Sequence, residues 1–226
     1  MSLVAVEQVT KVYTIGNAQV HALRGVSLTV DVGAFLAIVG PSGSGKTTLL
    51  NLIGCLESAT QGAVHLDGQD VSRLSNDALA TFRAHHLGFI FQTFNLFPVL
   101  TALENVEYPL YAKPLSRRER RRLAMEALEH VGLRDHAAHK PMELSGGQRQ
   151  RVAIARAVVA KPKLVLADEP TANLDYATGQ EILRLMRRIN EEQHTTVIFS
   201  THDQRVMQMA SRIVGLRDGV IAEDGR

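Results

Sequence analysis

The 226 residues suffice for one large α/β domain with an inserted lobe, and an apolar fraction of 45% supplies its core. With 25 basic and 23 acidic side chains the net charge is +2, which argues against a nucleic-acid surface or a polybasic membrane anchor. Cys55 is the single cysteine, so an intramolecular disulfide and a cysteine metal cluster are excluded, in keeping with a reducing compartment. Met1 to Tyr13 lacks the basic and apolar regions of a signal peptide. No uncharged apolar run approaches the roughly 18 residues of a membrane helix, so a membrane role would come through a partner.

Leu3 to Tyr13 and His21 to Val32 alternate apolar and polar residues around a turn near Gly16-Asn17 and predict a β-hairpin-like pair. Phe35 to Val39 predicts a short buried strand, followed by a helix over Lys46 to Leu56. Ala63 to Leu66 predicts a strand closed by Asp67-Gly68, then a helix over Asn76 to His86 and a strand over Leu87 to Phe91. From Leu100 to His139 the period is helical and charged, and Ser116 with Glu119 forms a capping-box pattern ahead of Arg117 to Arg122. A glycine turn then opens a helix over Gln148 to Val159. The α/β pattern resumes with strand Leu164 to Ala167, helix Thr178 to Glu192, strand Thr195 to Ser200, helix Asp203 to Met209 and a final strand near Arg212 to Leu216. The expected architecture is a parallel-sheet α/β core with an N-terminal antiparallel β subdomain and an inserted helical subdomain. In domain terms, 1–226 is one domain: 1–90 and 160–226 form the core, and about 95–159 the helical part.

Gly40-Pro41-Ser42-Gly43-Ser44-Gly45-Lys46-Thr47, followed by Thr48, fits G-x-x-x-x-G-K-[ST] between a predicted strand and a predicted helix. Glycines let backbone N–H groups turn inward around phosphate oxygens, and the helix points its positive end at the same anion. Lys46 can neutralise the β- and γ-phosphates, and the Thr47 hydroxyl can ligate Mg2+. The strand Leu164 to Ala167 ends in Asp168 and Glu169. Asp168 at its tip is suited to Mg2+, and Glu169 to polarising an attacking water as general base. A second serine–glycine turn, Leu144-Ser145-Gly146-Gly147-Gln148, opens another helix, more than a single nucleotide site obviously needs.

Taken in order, these residues resemble the nucleotide-binding subunits of ATP-binding-cassette (ABC) transporters over essentially the whole chain. Gly40 to Thr47 is similar to the family's Walker A loop, Leu164 to Asp168 to its Walker B strand, and Phe91-Gln92-Thr93 to its Q-loop. Leu144 to Gln148 matches its signature, Asn173-Leu174-Asp175 resembles its D-loop, and His202 in Ser200-Thr201-His202-Asp203 its switch histidine. Tyr13 sits where the family places an aromatic that stacks on adenine; a strand-end tyrosine that merely packs is the alternative.

The resemblance implies a P-loop ATPase with ATP and Mg2+, working as a head-to-tail homodimer with two ATP molecules between subunits. Ser145, Gly146, Gly147 and Gln148 of one subunit would face the γ-phosphate held by the other. Gln92 would sense Mg2+ and the attacking water, His202 would bond the γ-phosphate, and Asp175 would couple the two sites. The wording from Gly88 to Val106 and from Leu166 to Asp175 resembles the lipoprotein-release and macrolide-exporter (LolD-like and MacB-like) branch. That branch implies a cytoplasmic subunit, peripheral on the inner membrane, driving a separate permease by mechanotransmission. An amino-acid-type importer ATPase is the alternative within transport. A soluble ABC ATPase of repair or translation is the alternative outside it, disfavoured by the absence of a heptad insert or second cassette.

Phe94, Leu96 and Phe97 precede Pro98 in a predicted loop and offer an apolar surface for the membrane partner, whereas Phe89 and Phe91 are expected in the core. Arg117, Arg118, Arg120, Arg121 and Arg122 are expected as a solvated helix face. His130, His136 and His139 are expected as surface histidines rather than metal ligands. Cys55 is expected as a small core residue.

Overall fold

Five consecutive apolar residues from Phe35 to Val39 leave no polar face for water, so the strand they form has to be covered on both sides. In the computed structural model, which describes residues 2–225, this strand, β3 (Phe35–Val39), is buried at four of five positions. The chain divides into two compact units, one running to Arg83 and resuming at Thr196, the other running from Ala84 to Thr195.

The first unit begins with β1 (Ser2–Ile15) and β2 (Ala18–Asp31), paired antiparallel with Ile15 opposite Ala18 and Tyr13 opposite Val20. The β4 strand (Gln61–Leu66) joins the other edge of β1, and the two-residue β5 (Gln69–Asp70) completes this four-stranded sheet. Helix α1 (Lys46–Ile53) follows β3. It is shorter than the predicted Lys46 to Leu56, because Gly54 closes it and Cys55 adopts a left-handed backbone with φ 56°. Cys55 is buried, as expected, and burial pushes its thiol up to about 11, far from a reactive thiolate.

After the second unit the chain returns as β8 (Thr196–Thr201) and β9 (Arg212–Arg217), which flank β3 in parallel. Val39 lies opposite Thr201, so the segments beginning at Gly40 and His202 leave from one edge. That edge, at the carboxyl ends of parallel strands, is where α/β sheets bind ligands. A further strand, β10 (Val220–Gly225), runs antiparallel to β9 beyond the predicted last strand. Asp218 and Gly219 turn it with φ of 49° and 79°. The Arg212 guanidinium grips the Asp224 carboxylate through two bonds, at 2.7 and 2.6 Å.

In the second unit, β6 (Leu87–Ile90) and β7 (Leu164–Ala167) pair in parallel with Ile90 opposite Ala167. The segments carrying Gln92 and Asp168 therefore also leave from a common edge. α2 (Asn76–His86) leads into β6, and between the two strands lie α3 (Ala102–Glu107), α4 (Arg117–His130) and α5 (Gly146–Val158). Short 3-10 turns at 108–112, 134–136 and 141–143 interrupt the helical run expected from Leu100 to His139. α6 (Tyr176–Gln193) follows β7, starting two residues before the predicted Thr178, and α7 (Gln204–Met207) follows β8. The predicted capping box at Ser116 and Glu119 is present. Arg120 departs from the expected solvated face. Its guanidinium lies 4.2 Å from the Tyr111 ring centroid and 3.4 Å from the nearly buried Glu107 carboxylate, while Arg117, Arg118, Arg121 and Arg122 are exposed.

Phe35 and Phe199 are fully buried and meet at 5.0 Å between ring centroids in the first unit. Phe199→Ala is expected to cost about 3–5 kcal/mol, read as a lower urea midpoint with an unchanged slope.

Candidate active site

The glycine loop between β3 and α1 can do one thing well: present backbone N–H groups to an anion. Gly45 at the start of α1 has φ 104°, and a Cβ there would lie 2.6 Å from the Ala22 carbonyl oxygen. Any side chain would force the loop open. The first turn of α1 carries no side-chain cap and no acidic residue. Lys46 is only 6% exposed, and its ammonium donates to the carbonyls of Gly40 at 2.7 Å and Pro41 at 3.0 Å. The Ser44 hydroxyl is buried without a hydrogen-bond partner. A buried cation without a carboxylate, an orphan hydroxyl and an uncapped helix start together suit a phosphate chain. Thr47 and Thr48 fall in the first turn of α1, and His202 begins the segment after β8 on the same strand edge.

Tyr13 is held in place. Its hydroxyl donates to the Glu57 carboxylate at 2.6 Å and lies 3.4 Å from the Thr48 hydroxyl. Burial, then the bond to Glu57, pushes the phenol up from its ordinary value. Burial alone would raise Glu57, but bonds from Tyr13, Asn51 and Lys11 outweigh it and hold the carboxyl below its usual range.

In the second unit the strand ends carry the acids. Asp168 and Glu169 follow β7 and are half-buried; Glu169 has a left-handed backbone, φ 44°, unusual for a glutamate. The Asp168 N–H donates to the Ile90 carbonyl at 2.9 Å, and the Asn173 side chain donates to the Gln92 carbonyl at 2.8 Å. The segments after β6 and β7 are thus tied together.

The serine–glycine turn is a helix start. α5 begins at Gly146, and Ser145 caps it in a reciprocal box with Gln148. The Ser145 oxygen accepts from the Gln148 N–H at 3.2 Å, and the Gln148 side-chain oxygen accepts from the Ser145 N–H at 2.8 Å. The Ser145 hydroxyl proton remains available to an acceptor. The other end of the Gln148 amide lies 3.0 Å from Nε2 of His136, which is half-buried rather than the surface histidine expected. A Cβ on Gly147 would reach 2.6 Å from the Thr178 side chain. Asp175 caps α6, its carboxylate accepting from the Thr178 N–H at 3.0 Å and its hydroxyl at 2.6 Å.

The family described as ABC transporter matches residues 23–172. The chain is 46% identical over 226 residues to an uncharacterized ABC transporter ATP-binding protein of Methanocaldococcus jannaschii, covering 98% of this chain and 96% of that one. The chain belongs to the ABC transporter family, as an ATP-binding cassette. It is also 50% identical over 223 residues to the macrolide export ATP-binding/permease protein MacB of Syntrophobacter fumaroxidans, covering 98% of this chain but spanning only 31% of that protein. A dimeric post-hydrolysis structure of the ATP-binding cassette MJ0796 bound to ADP and Pi superposes with a TM-score of 0.92 at 46% identity, covering 99% of this chain and 98% of that one.

Within this ABC cassette, magnesium fits the donor chemistry. No group of three or more His, Cys, Asp or Glu is placed to hold a metal among the described residues. Mg2+ keeps most of its waters and takes few protein oxygens; the Thr47 hydroxyl in the first unit and the Asp168 carboxylate in the second are donors of that kind. His130 and His139 are exposed, as expected of surface histidines, and no helix among the described residues is long and apolar enough to cross a membrane.

The segment after Gln92 holds what the sequence hid. Phe94 and Asn95 both have left-handed backbones, φ 64° and 47°. Arg156 of α5 donates to both of their carbonyls, at 2.9 and 2.5 Å, and Arg149 lies over the Phe94 ring at 5.1 Å. Gln150 of the same helix, fully buried, donates to the Pro170 carbonyl at 2.7 Å. Asn105, also fully buried, bonds the backbone of Phe97, Leu100 and Thr101. Phe89 and Phe91 stack at 5.9 Å but are half-buried, not the core residues expected; Phe89 lies within β6 and Phe91 just beyond its end. Phe97 is exposed and meets Tyr108 at 4.8 Å; Val99 and Tyr111 are also exposed.

Arg156→Met should free the Phe94 and Asn95 carbonyls. Amide exchange between residues 93 and 97 should rise about tenfold relative to β7, measured by hydrogen–deuterium exchange mass spectrometry.

Proposed function

We propose that this cassette binds and hydrolyses ATP as a homodimer closed around two nucleotides and drives a separate membrane permease. The observation that carries it is the Ser145 turn: a capped helix start with a donor hydroxyl and a bare glycine N–H, a second anion-facing device in addition to the phosphate loop. The dimeric MJ0796 cassette with ADP and Pi supports the same reading.

In this reading Lys46 neutralises the β- and γ-phosphates inside the loop from Gly40 to Thr48, where Ser42, Gly43, Ser44 and Gly45 offer N–H groups and Pro41, which has none, shapes the bend. Tyr13 stacks on the adenine. Thr47, Gln92 and Asp168 would hold Mg2+ directly or through water, and the ion would supply positive charge against that of the phosphates. Glu169 accepts a proton from the attacking water as the bond to the γ-phosphorus forms and the bond to the β-bridging oxygen breaks. His202 donates to the γ-phosphate and orients the water. Ser145, Gly146, Gly147 and the α5 start at Gln148 grip the γ-phosphate of the opposite subunit, so hydrolysis removes the group that holds the dimer shut. Asp175, which caps its own helix, couples the two sites through the position of α6.

The MacB relatives favour the lipoprotein-release and macrolide-exporter type, in which motion is transmitted across the membrane. The cassette would then lie on the cytoplasmic face, docked to the permease near Phe94 and Phe97, where the exposed Phe97 and a backbone corner at the half-buried Phe94, braced from α5, share one segment.

Glu169→Gln should lower turnover by about 10^2–10^4-fold and accumulate an ATP-bound dimer on size-exclusion chromatography; wild-type turnover would remove Glu169 as the base. Ser145→Arg should keep ATP affinity within about twofold and lose ATP-driven dimerisation; a surviving dimer would sink the sandwich. Replacing Phe94 and Phe97 by serine should weaken co-purification with the permease and leave ATP binding by the isolated cassette intact.

A further inference from the structure

The Glu57 carboxylate is the meeting point of three segments of the first unit. From β1, the Tyr13 hydroxyl donates to it at 2.6 Å and the Lys11 ammonium lies 3.2 Å away. From α1, the Asn51 side chain donates to its other oxygen at 2.9 Å. Glu57 itself sits on the turn after α1, held there because the Asn51 carbonyl accepts from the N–H groups of Leu56 and Glu57 at 2.9 and 3.3 Å. Lys11 also donates to the Ser58 carbonyl at 2.8 Å, and its ammonium stands 5.0 Å from the centre of the Tyr13 ring.

These contacts fix an aromatic ring at both ends. The phenol oxygen is pinned by a charge-assisted bond, the strong class of hydrogen bond. One ring face is taken by a cation, so a flat ligand stacks on the other. α1, which supplies Asn51 and Thr48 to this cluster, is the helix whose first turn faces the phosphates. A nucleotide has a bounded reach between its base and its phosphate chain. A platform tied to the phosphate-gripping helix presents the ring at that reach without the entropy cost of ordering it on binding.

We infer that Glu57 is a positioning residue for the nucleotide base: through the Tyr13 hydroxyl it locks the ring relative to α1 and so sets the preference for a purine nucleotide over a bare phosphate chain. This rests on Tyr13 being the base platform. Glu57 touches no substrate, and its effect passes through the tyrosine. It acts on base recognition and leaves the phosphate grip of Lys46 untouched.

The test compares equilibrium binding of ATP and of inorganic tripolyphosphate to the isolated cassette and five variants. Glu57→Ala and Tyr13→Phe should each weaken ATP about fivefold and leave tripolyphosphate within about twofold. Combined, the two should cost no more than either alone, because each removes the same bond. Glu57→Gln keeps an acceptor for the phenol and should recover most of the loss. Should Glu57→Ala fail to fold, seen in its thermal melt, the Gln and Phe variants carry the test alone. Equal weakening of both ligands, losses that multiply in the double variant, or an unchanged ATP-to-tripolyphosphate ratio would overturn the proposal. Tyr13→Ala separates the two layers. If it leaves that ratio unchanged, the base platform itself falls and the role of Glu57 with it. If it shifts the ratio while the Glu57 variants do not, only the role of Glu57 falls.

Discussion

A nearly buried ammonium, Lys46, is satisfied by two neutral carbonyls of its own loop. A charge withdrawn from water is costly unless it is paired, and dipoles compensate it less fully than an opposite charge does. The loop is therefore built around an interaction it makes best with an anion. The rest of the first unit keeps that interaction available. β3 is clamped between β8 and β9 so that Gly40 emerges at a fixed point. Gly45 passes too close to the Ala22 carbonyl to carry a side chain, and α1 starts without a cap of its own.

The second unit solves a different problem, that of keeping several functional loops in register. α5 is its organising element. The buried Gln150 ties it to Pro170 beyond the acidic strand end, and Arg156 ties it to Phe94 and Asn95 beyond Gln92. Asn173 then links the segment after β7 to the Gln92 carbonyl. Left-handed backbones at Glu169, Phe94 and Asn95 fall in these connected segments. Such geometry costs on the order of 1 kcal/mol or more per residue and persists where surroundings over-determine it. A displacement at the Ser145 end of α5 would be felt at both loops.

What was legible in the sequence was the local chemistry. Glycine loops, apolar strands and the box at Ser116 depend on residues a few positions apart, and they stand as read; the box at Ser145 has the same spacing and was within reach. What escaped depends on partners far away in the chain. Arg156 reads as one more polar residue of an amphipathic helix, and its partners lie some sixty positions earlier. Glu57 reads as a loop acid until β1 is folded against α1. Two more features were within reach. Asp175 followed by Thr178 is a capping pattern of the same kind as Ser116 and Glu119. Asp218-Gly219 is the same hairpin dipeptide as Asp67-Gly68, but the mixed polarity of Val220 to Gly225 hid the strand it opens.

That last hairpin reaches back to the beginning of the chain. The Gly219 N–H donates to the Ser44 carbonyl at 3.1 Å, and the Gly219 carbonyl accepts from the Arg24 N–H at 2.8 Å. The phosphate loop is thus buttressed by a turn far away along the chain. A fragment that stops short of Gly219 would carry every residue of the loop and lack the bond that steadies Ser44, so possession of the motif and possession of the finished cradle are different things.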